Sequence, residues 1–338
     1  MKAAFLQDDK TFKVQESPTP EPGNDEVLIK IAYCGICGSD VHMLEAGMFP
    51  PDSIIGHEVS GYVVKTGKNV SEWREGDPVV VFPMEPCGKC TPCRNGEVQH
   101  CKDGIGRRYG VGLHPGGFAQ YILTRPSMLF KIPKSLDMKL AALTEPLSVS
   151  IRGVNNSNIK KGAHSLIMGA GPIGLFCIPA LQNKGAGKIF ISEPDAFRAE
   201  KAAAFGADYI LNPKKDDPAD EIKKLTGEAP EYIFDCAGTE DSMQDAAFMA
   251  GSQGRIVILG LYNGSVSILP IIWLNKELNI TFSLGYNWKD FSESIELLSN
   301  GKINPDIAIS SVFKLDNINE AFTSLKKPGN MKVLLDCG

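Results

Sequence analysis

The sequence predicts an α/β protein in two parts, an irregular antiparallel β domain and a doubly wound parallel sheet. Three observations carry that reading. The chain has 338 residues, enough for about two domains at roughly 150 residues each. Its texture changes near Gly162, from short strand-like runs broken by Gly, Pro and Asp to alternating strand and helix patterns. A glycine-rich turn, GAGPIG at 169–174, then stands between an apolar run and a helical one.

In the first part EVLIKIAYCG, HEVSGYVVKTG and GDPVVVF are period-two or wholly apolar runs of strand length. In the second part HSLIM, KIFIS, YIL, YIFDCAG, RIVILG and NITFSLG alternate with helix-like segments such as FRAEKAAAFGA and SMQDAAFMAG. Six strands with helical connections make a parallel, doubly wound sheet. A last helix, DFSESIELLSNG, and two short strands, SSVFKL and KVLLDC, are expected to return to the first domain. The expected boundaries are therefore 1–150 with 288–338, and 151–287. ITFSLG is apolar and falls at a sheet edge, which needs covering, so a homodimer or homotetramer is expected.

The hydrophobic share is 43% and the charged share 22%, ordinary globular values that exclude a disordered chain. Acids outnumber bases 40 to 35, which argues against a nucleic-acid surface. The N-terminus carries acids from position 8 and lacks the apolar stretch of a signal peptide. Two charge-free runs, 162–183 and 256–275, approach membrane-span length. Glycines and prolines in mid-run cut each into a buried strand and a turn. A soluble, cytoplasmic protein is expected, with no membrane or nucleic-acid partner.

In the glycine turn, Gly169 allows the tight bend, Gly171 lets backbone approach a pyrophosphate, and Gly174 lets helix and strand pack closely. Amides at the helix start favour the phosphate charge. Glu193 follows Gly174 by 19 residues at the end of the next strand, where an acid would hold the ribose hydroxyls of NAD and repel the 2′-phosphate of NADP. Arg198 either stacks on adenine, attracts a 2′-phosphate, or is a solvated helix residue. Pro179 falls inside the predicted helix and should kink it.

Nine cysteines are present, and Cys87, Cys90, Cys93 and Cys101 have the spacing C-x2-C-x2-C-x7-C. Four thiolates this close can close a tetrahedral shell around a structural zinc, or hold an iron–sulfur cluster. A second constellation gathers Cys37, Ser39, Asp40 and His42 in CGICGSDVH, His57 and Glu58 in GHEVSG, and Glu145 in TEPLSV. Cys, His and carboxylate together make a catalytic zinc site with one position left for water or alcohol.

These residues, with Gly67, Val70, the GD at 76–77, AALTEPLSV at 141–149 and the glycine turn, resemble a zinc-dependent medium-chain dehydrogenase/reductase over essentially the whole chain. The sequence is most similar to the polyol (sorbitol-type), butanediol and threonine dehydrogenase branch. The resemblance implies a GroES-like catalytic domain, carrying the cysteine lobe at 87–101, and a Rossmann coenzyme domain. It implies two zinc ions per chain. One is held by Cys37, His57 and Glu145, with Glu58 as ligand or neighbour; the other is held by the four-cysteine lobe. It also implies that Ser39 lies next to the substrate oxygen and His42 near the cofactor ribose, as a proton relay. Asp40 would orient the site or cap a helix. Pro172, Ile173, Glu193 and Arg198 match cofactor contacts, and Leu259, Gly260 and Leu261 should approach the nicotinamide.

The expected reaction is oxidation of a secondary alcohol, diol or polyol to its ketone, with hydride transfer to NAD. Sorbitol-type enzymes carry Tyr where Met43 stands and Arg where Gly285 stands, and threonine dehydrogenases carry Asp where Glu145 stands. A sugar alcohol and threonine are both weakened as substrates by these departures. Threonine or a sugar-alcohol phosphate remains the alternative, with Arg107 and Arg108 facing a phosphate or forming a solvated basic loop. A zinc protein that senses NAD(H) without turnover is the alternative of a different class.

Overall fold

The structure is a computed structural model that describes residues 1–104, 107–111, 114–301, 303–327 and 329–338. It divides into two compact units, Met1–Glu145 with Asn287–Gly338, and Pro146–Tyr286.

The first unit is built on β-structure. Strands β1 (Lys2–Leu6) and β2 (Phe12–Glu16) form an antiparallel hairpin. A seven-stranded sheet contains β3 (Val27–Ile36), β4 (Glu58–Thr66), β5 (Pro78–Val81), β6 (Tyr121–Thr124) and β7 (Leu129–Lys131). The ten-residue β3 is its spine. It pairs with β4 and β6, and register shifts at Leu28/Ile29 and Ile31/Tyr33 bend it. All of these pairings are antiparallel.

The chain's last fifty residues complete this unit. The helix Trp288–Ser299 starts with a reciprocal capping box, Asn287 with Asp290. Trp288 stacks on Phe82 with ring centroids 4.2 Å apart, and Phe291 packs edge-on against Phe130 at 4.9 Å. Such aromatic pairs add about 0.5–1.5 kcal/mol each beyond area burial. Within the second unit run β8 (Ser165–Met168), β9 (Ile189–Ser192), β10 (Tyr209–Leu211), β11 (Tyr232–Asp235), β12 (Arg255–Ile258) and β13 (Asn279–Phe282). Strands β14 (Ile309–Lys314) and β15 (Lys332–Asp336) then join the first sheet. They pair parallel with each other, and β15 runs antiparallel to β3.

The six strands of the second unit form one parallel sheet in the order β10-β9-β8-β11-β12-β13. Both faces of its central strands are buried, so they read as continuous apolar runs rather than alternating ones. Leu166, Phe190, Ile233 and Ile256 pack with Met243, Ala246 and Ala247 of the helix Ser242–Met249. The helix Pro172–Asn183 runs unbroken through Pro179, so the expected kink does not end the element. No helix among the described residues is long and apolar enough to cross a membrane.

Candidate metal centres and dinucleotide turn

In the first unit β3 ends at Ile36, and the chain turns at Cys37 into the helix Gly38–Glu45. Cys37 caps that helix, and the Asp40 carboxylate accepts from the Cys37 amide at 2.9 Å. The other Asp40 oxygen stands 3.2 Å from His57 Nδ1, which precedes β4. Asp40 therefore caps the helix and at the same time faces His57. Ser39 is half-buried on the same helix, and His42 lies on its exposed side.

Cys37, His57 and Glu58 bring one donor atom each to within 4.8 Å of one another. Glu145 is buried at the first turn of the helix Thr144–Ser157, but is not in this trio. Burial opposes a proton on His57, yet Asp40 and Cys37 outweigh it and raise its pKa well above the ordinary value. A thiol, an imidazole and a carboxylate this close together make a donor set that fits a zinc ion.

Glu58 is fully buried, and its counter-charge is a residue that sequence reasoning missed. Lys332 on β15 donates to both Glu58 oxygens, at 2.5 and 2.8 Å, and to the Ile36 carbonyl at 3.1 Å. The pair needs room. A Cβ at Gly35 would stand 1.8 Å from Glu58 Oε2, so only glycine lets the carboxylate lie across β3. The available signal was a single lysine leading an otherwise apolar run, KVLL.

The four-cysteine lobe closes as expected. The donor atoms of Cys87, Cys90, Cys93 and Cys101 all lie within 4.8 Å of one another. The amides of Lys102 and Cys93 point at Cys90 and hold its thiol down to about 6, while burial pushes Cys93 up to about 12. Cys101 sulfur accepts from the Cys87 amide at 3.3 Å. Amides directed at sulfur favour the thiolate, the form that ligates zinc. Nearby, Arg107 is committed to Glu85 through its side chain at 2.6 Å and the carbonyl at 3.0 Å, so it serves this loop as an internal clamp.

In the second unit Gly169 leaves β8 with φ +90°, and Pro172 opens the helix at its first position. A Cβ at Gly174 would meet the Gly169 carbonyl oxygen at 1.9 Å, which is the close helix–strand approach expected of the third glycine. Gly171 has open space around its Cα, and Ile173 is half-buried. Glu193 follows β9 and is buried, with Oε2 accepting from the Ala170 amide at 2.7 Å and Oε1 from the Asp195 amide at 2.8 Å. The acid is thus fastened to the glycine turn itself. Arg198 is exposed on the helix Ala196–Ala204. After β12, Leu259 is buried, Gly260 half-buried and Leu261 exposed.

Residues 23–134 match the family model of the alcohol dehydrogenase GroES-like domain, and residues 172–300 match that of the zinc-binding dehydrogenases. A 2-dehydro-3-deoxy-L-galactonate 5-dehydrogenase from Pseudoalteromonas atlantica is 33% identical over all of this chain and 99% of its own. A sorbitol dehydrogenase from Bacillus subtilis is 31% identical over 95% of this chain and 92% of its own. Among solved structures, an alcohol dehydrogenase of Escherichia coli CFT073 complexed with NADH superposes with TM-score 0.91 at 29% identity, covering 99% of both chains. The chain belongs to the zinc-dependent medium-chain dehydrogenase/reductase family. Its fold is the GroES-like plus Rossmann arrangement that the sequence predicted.

Proposed function

We propose that the protein oxidises a secondary alcohol, diol or polyol to the ketone, reversibly, with NAD as hydride acceptor. The observation that carries this reading is the convergence of Cys37, His57 and Glu58 in one buried pocket of a chain that also holds a strand–glycine turn–helix with Glu193 fastened to it. Zinc, when bound, supplies Lewis-acid chemistry that draws ionisation of an alcohol toward neutral pH. Cys37 and His57 would hold it, with Glu58 or Glu145 as the carboxylate. Asp40 holds His57 and the Cys37 backbone in place. Ser39 receives the alcohol proton, and His42, exposed on the same helix, passes it to solvent. Zinc in the four-cysteine lobe is structural. Glu193 favours NAD over NADP, because both of its oxygens already bind amides and it keeps lone pairs for ribose hydroxyls only. The protein is taken to act in the cytoplasm as a homodimer or homotetramer.

The test is a substrate panel with NAD containing diols, pentitols, hexitols, their phosphates and threonine, run on protein whose zinc has been measured. NADH formation with at least one secondary alcohol, and close to two zinc ions per chain, is the expected result. Tight NADH binding with no turnover across the panel would favour a sensor instead.

A further inference from the structure

The carboxyl ends of the central strands carry a cluster that neither the glycine turn nor the metal donors use. Asp235 ends β11 and is completely buried, between Met168 of β8 and Ile258 of β12 in register. Its Oδ1 accepts from the amides of Ala237 at 3.0 Å and Gly238 at 3.3 Å. Its Oδ2 accepts from Ser242 Oγ at 2.9 Å and from the Tyr262 hydroxyl. Its carbonyl oxygen accepts from the amides of Leu259 at 2.8 Å and Gly260 at 2.9 Å. A buried carboxylate is costly unless its oxygens are hydrogen-bonded, and here four donors meet two oxygens.

One residue therefore ties together the loop after β11 and the loop after β12. Glycine packing locks the two loops further. A Cβ on Gly260 would lie 2.4 Å from the Gly238 nitrogen, and one on Gly169 would lie 3.1 Å from Ala237 Cα. The glycine turn and both loops thus form one mechanical unit. Ligands of doubly wound sheets lie across the carboxyl ends of the strands. Glu193 marks the β9 side of β8 for the adenosine half, so β11 and β12, on the other side of β8, face the other half.

We propose that Asp235, with Ser242 and Tyr262, positions the backbone that receives the nicotinamide half of the cofactor, without touching the cofactor. This rests on the dinucleotide reading above. Tyr262→Phe removes one hydroxyl and leaves the ring in place. Asp235→Asn replaces an acceptor that faces two amides. Tyr232→Phe is the control, because its hydroxyl is buried at the opposite end of β11 with no hydrogen-bond partner.

Titrations of the full-length protein with NADH and with ADP-ribose, which lacks the nicotinamide, separate the possibilities. Tyr262→Phe should weaken NADH about tenfold, the worth of one hydrogen bond to a charged group, and leave ADP-ribose unchanged. Asp235→Asn should do the same more strongly, and Tyr232→Phe should change neither. With a substrate from the panel, KM for NAD should rise in Tyr262→Phe while kcat at saturating NAD moves less than about twofold. Equal loss of both ligands, or a lower melting temperature with unchanged NADH affinity, would make the cluster merely structural and overturn the proposal. If Asp235→Asn does not fold, Tyr262→Phe decides alone. If the unmodified protein binds ADP-ribose but not NADH, the proposal fails while the adenosine half of the reading stands. If it binds neither, the dinucleotide reading falls and takes the proposal with it.

Discussion

Burial decides the fate of Glu58. A carboxylate with no solvent contact needs a partner, and Lys332 reaches it from a strand 274 positions away along the chain. Burial opposes the charge on Lys332, and Glu58 outweighs that and raises its pKa. Lys332→Met should therefore cost about 3–5 kcal/mol in a urea titration. Adding Glu58→Gln should recover most of that loss, because no uncompensated charge is left. No recovery in the double variant would show that Lys332 acts through packing alone. Glu193 teaches a related lesson. Its place after β9 was legible from spacing, but its two amide contacts were not, since Ala170 comes close only when the turn has folded. Glu193→Ala should weaken NAD much more than NADP, checked by isothermal titration with both. Equal losses would assign the residue to holding the turn.

Elements show where local pattern suffices. The six parallel strands were readable because each is a short apolar run closed by Gly, Asn, Asp or Glu-Pro, and the connections carry helical periodicity. The glycine turn was readable because backbone geometry itself demands glycine there. Gly174→Ala places a methyl group 1.9 Å from the Gly169 carbonyl oxygen in the absence of movement. We expect at least a tenfold loss of NADH affinity with the metal content intact, measured by titration and elemental analysis. An unchanged affinity would show that the turn yields without cost. Pro179 lies inside a helix that continues to Asn183. Its helix is buried through residues 174–181, and packing on all sides holds the element together where an isolated helix would break.

At the scale of the molecule, the edge of the second unit's sheet carries exposed apolar side chains. Strand β13 closes the sheet on one side, with Phe282 67% exposed at its end and Leu284 53% exposed just after it, and Leu274 stands 70% exposed on the preceding helix, Pro270–Asn275. An apolar edge strand is a template for pairing, and patches of this kind mark interfaces. If the proposed homo-oligomer pairs through this edge, Phe282→Lys combined with Leu284→Lys should lower the mass in light scattering after size exclusion, with zinc content unchanged. An unaltered mass would overturn pairing through this edge.

Spacing along the chain singled out the candidate residues, because clustered cysteines and a glycine turn at fixed offsets are patterns that a ligand set or a phosphate turn needs. Cys37, the four-cysteine lobe, the glycine turn and Glu193 all follow from that. What the sequence left open were the pairings that depend on which strands become neighbours. Lys332 beside Glu58 requires β15 to lie against β3, and Tyr262 on Asp235 requires β12 to lie against β11. The meeting of Cys37 with His57 and Glu58, which requires β4 to lie against β3, is a fact of packing too. A buried charge finds its partner by proximity in space, and proximity across a sheet is set by the order of strands.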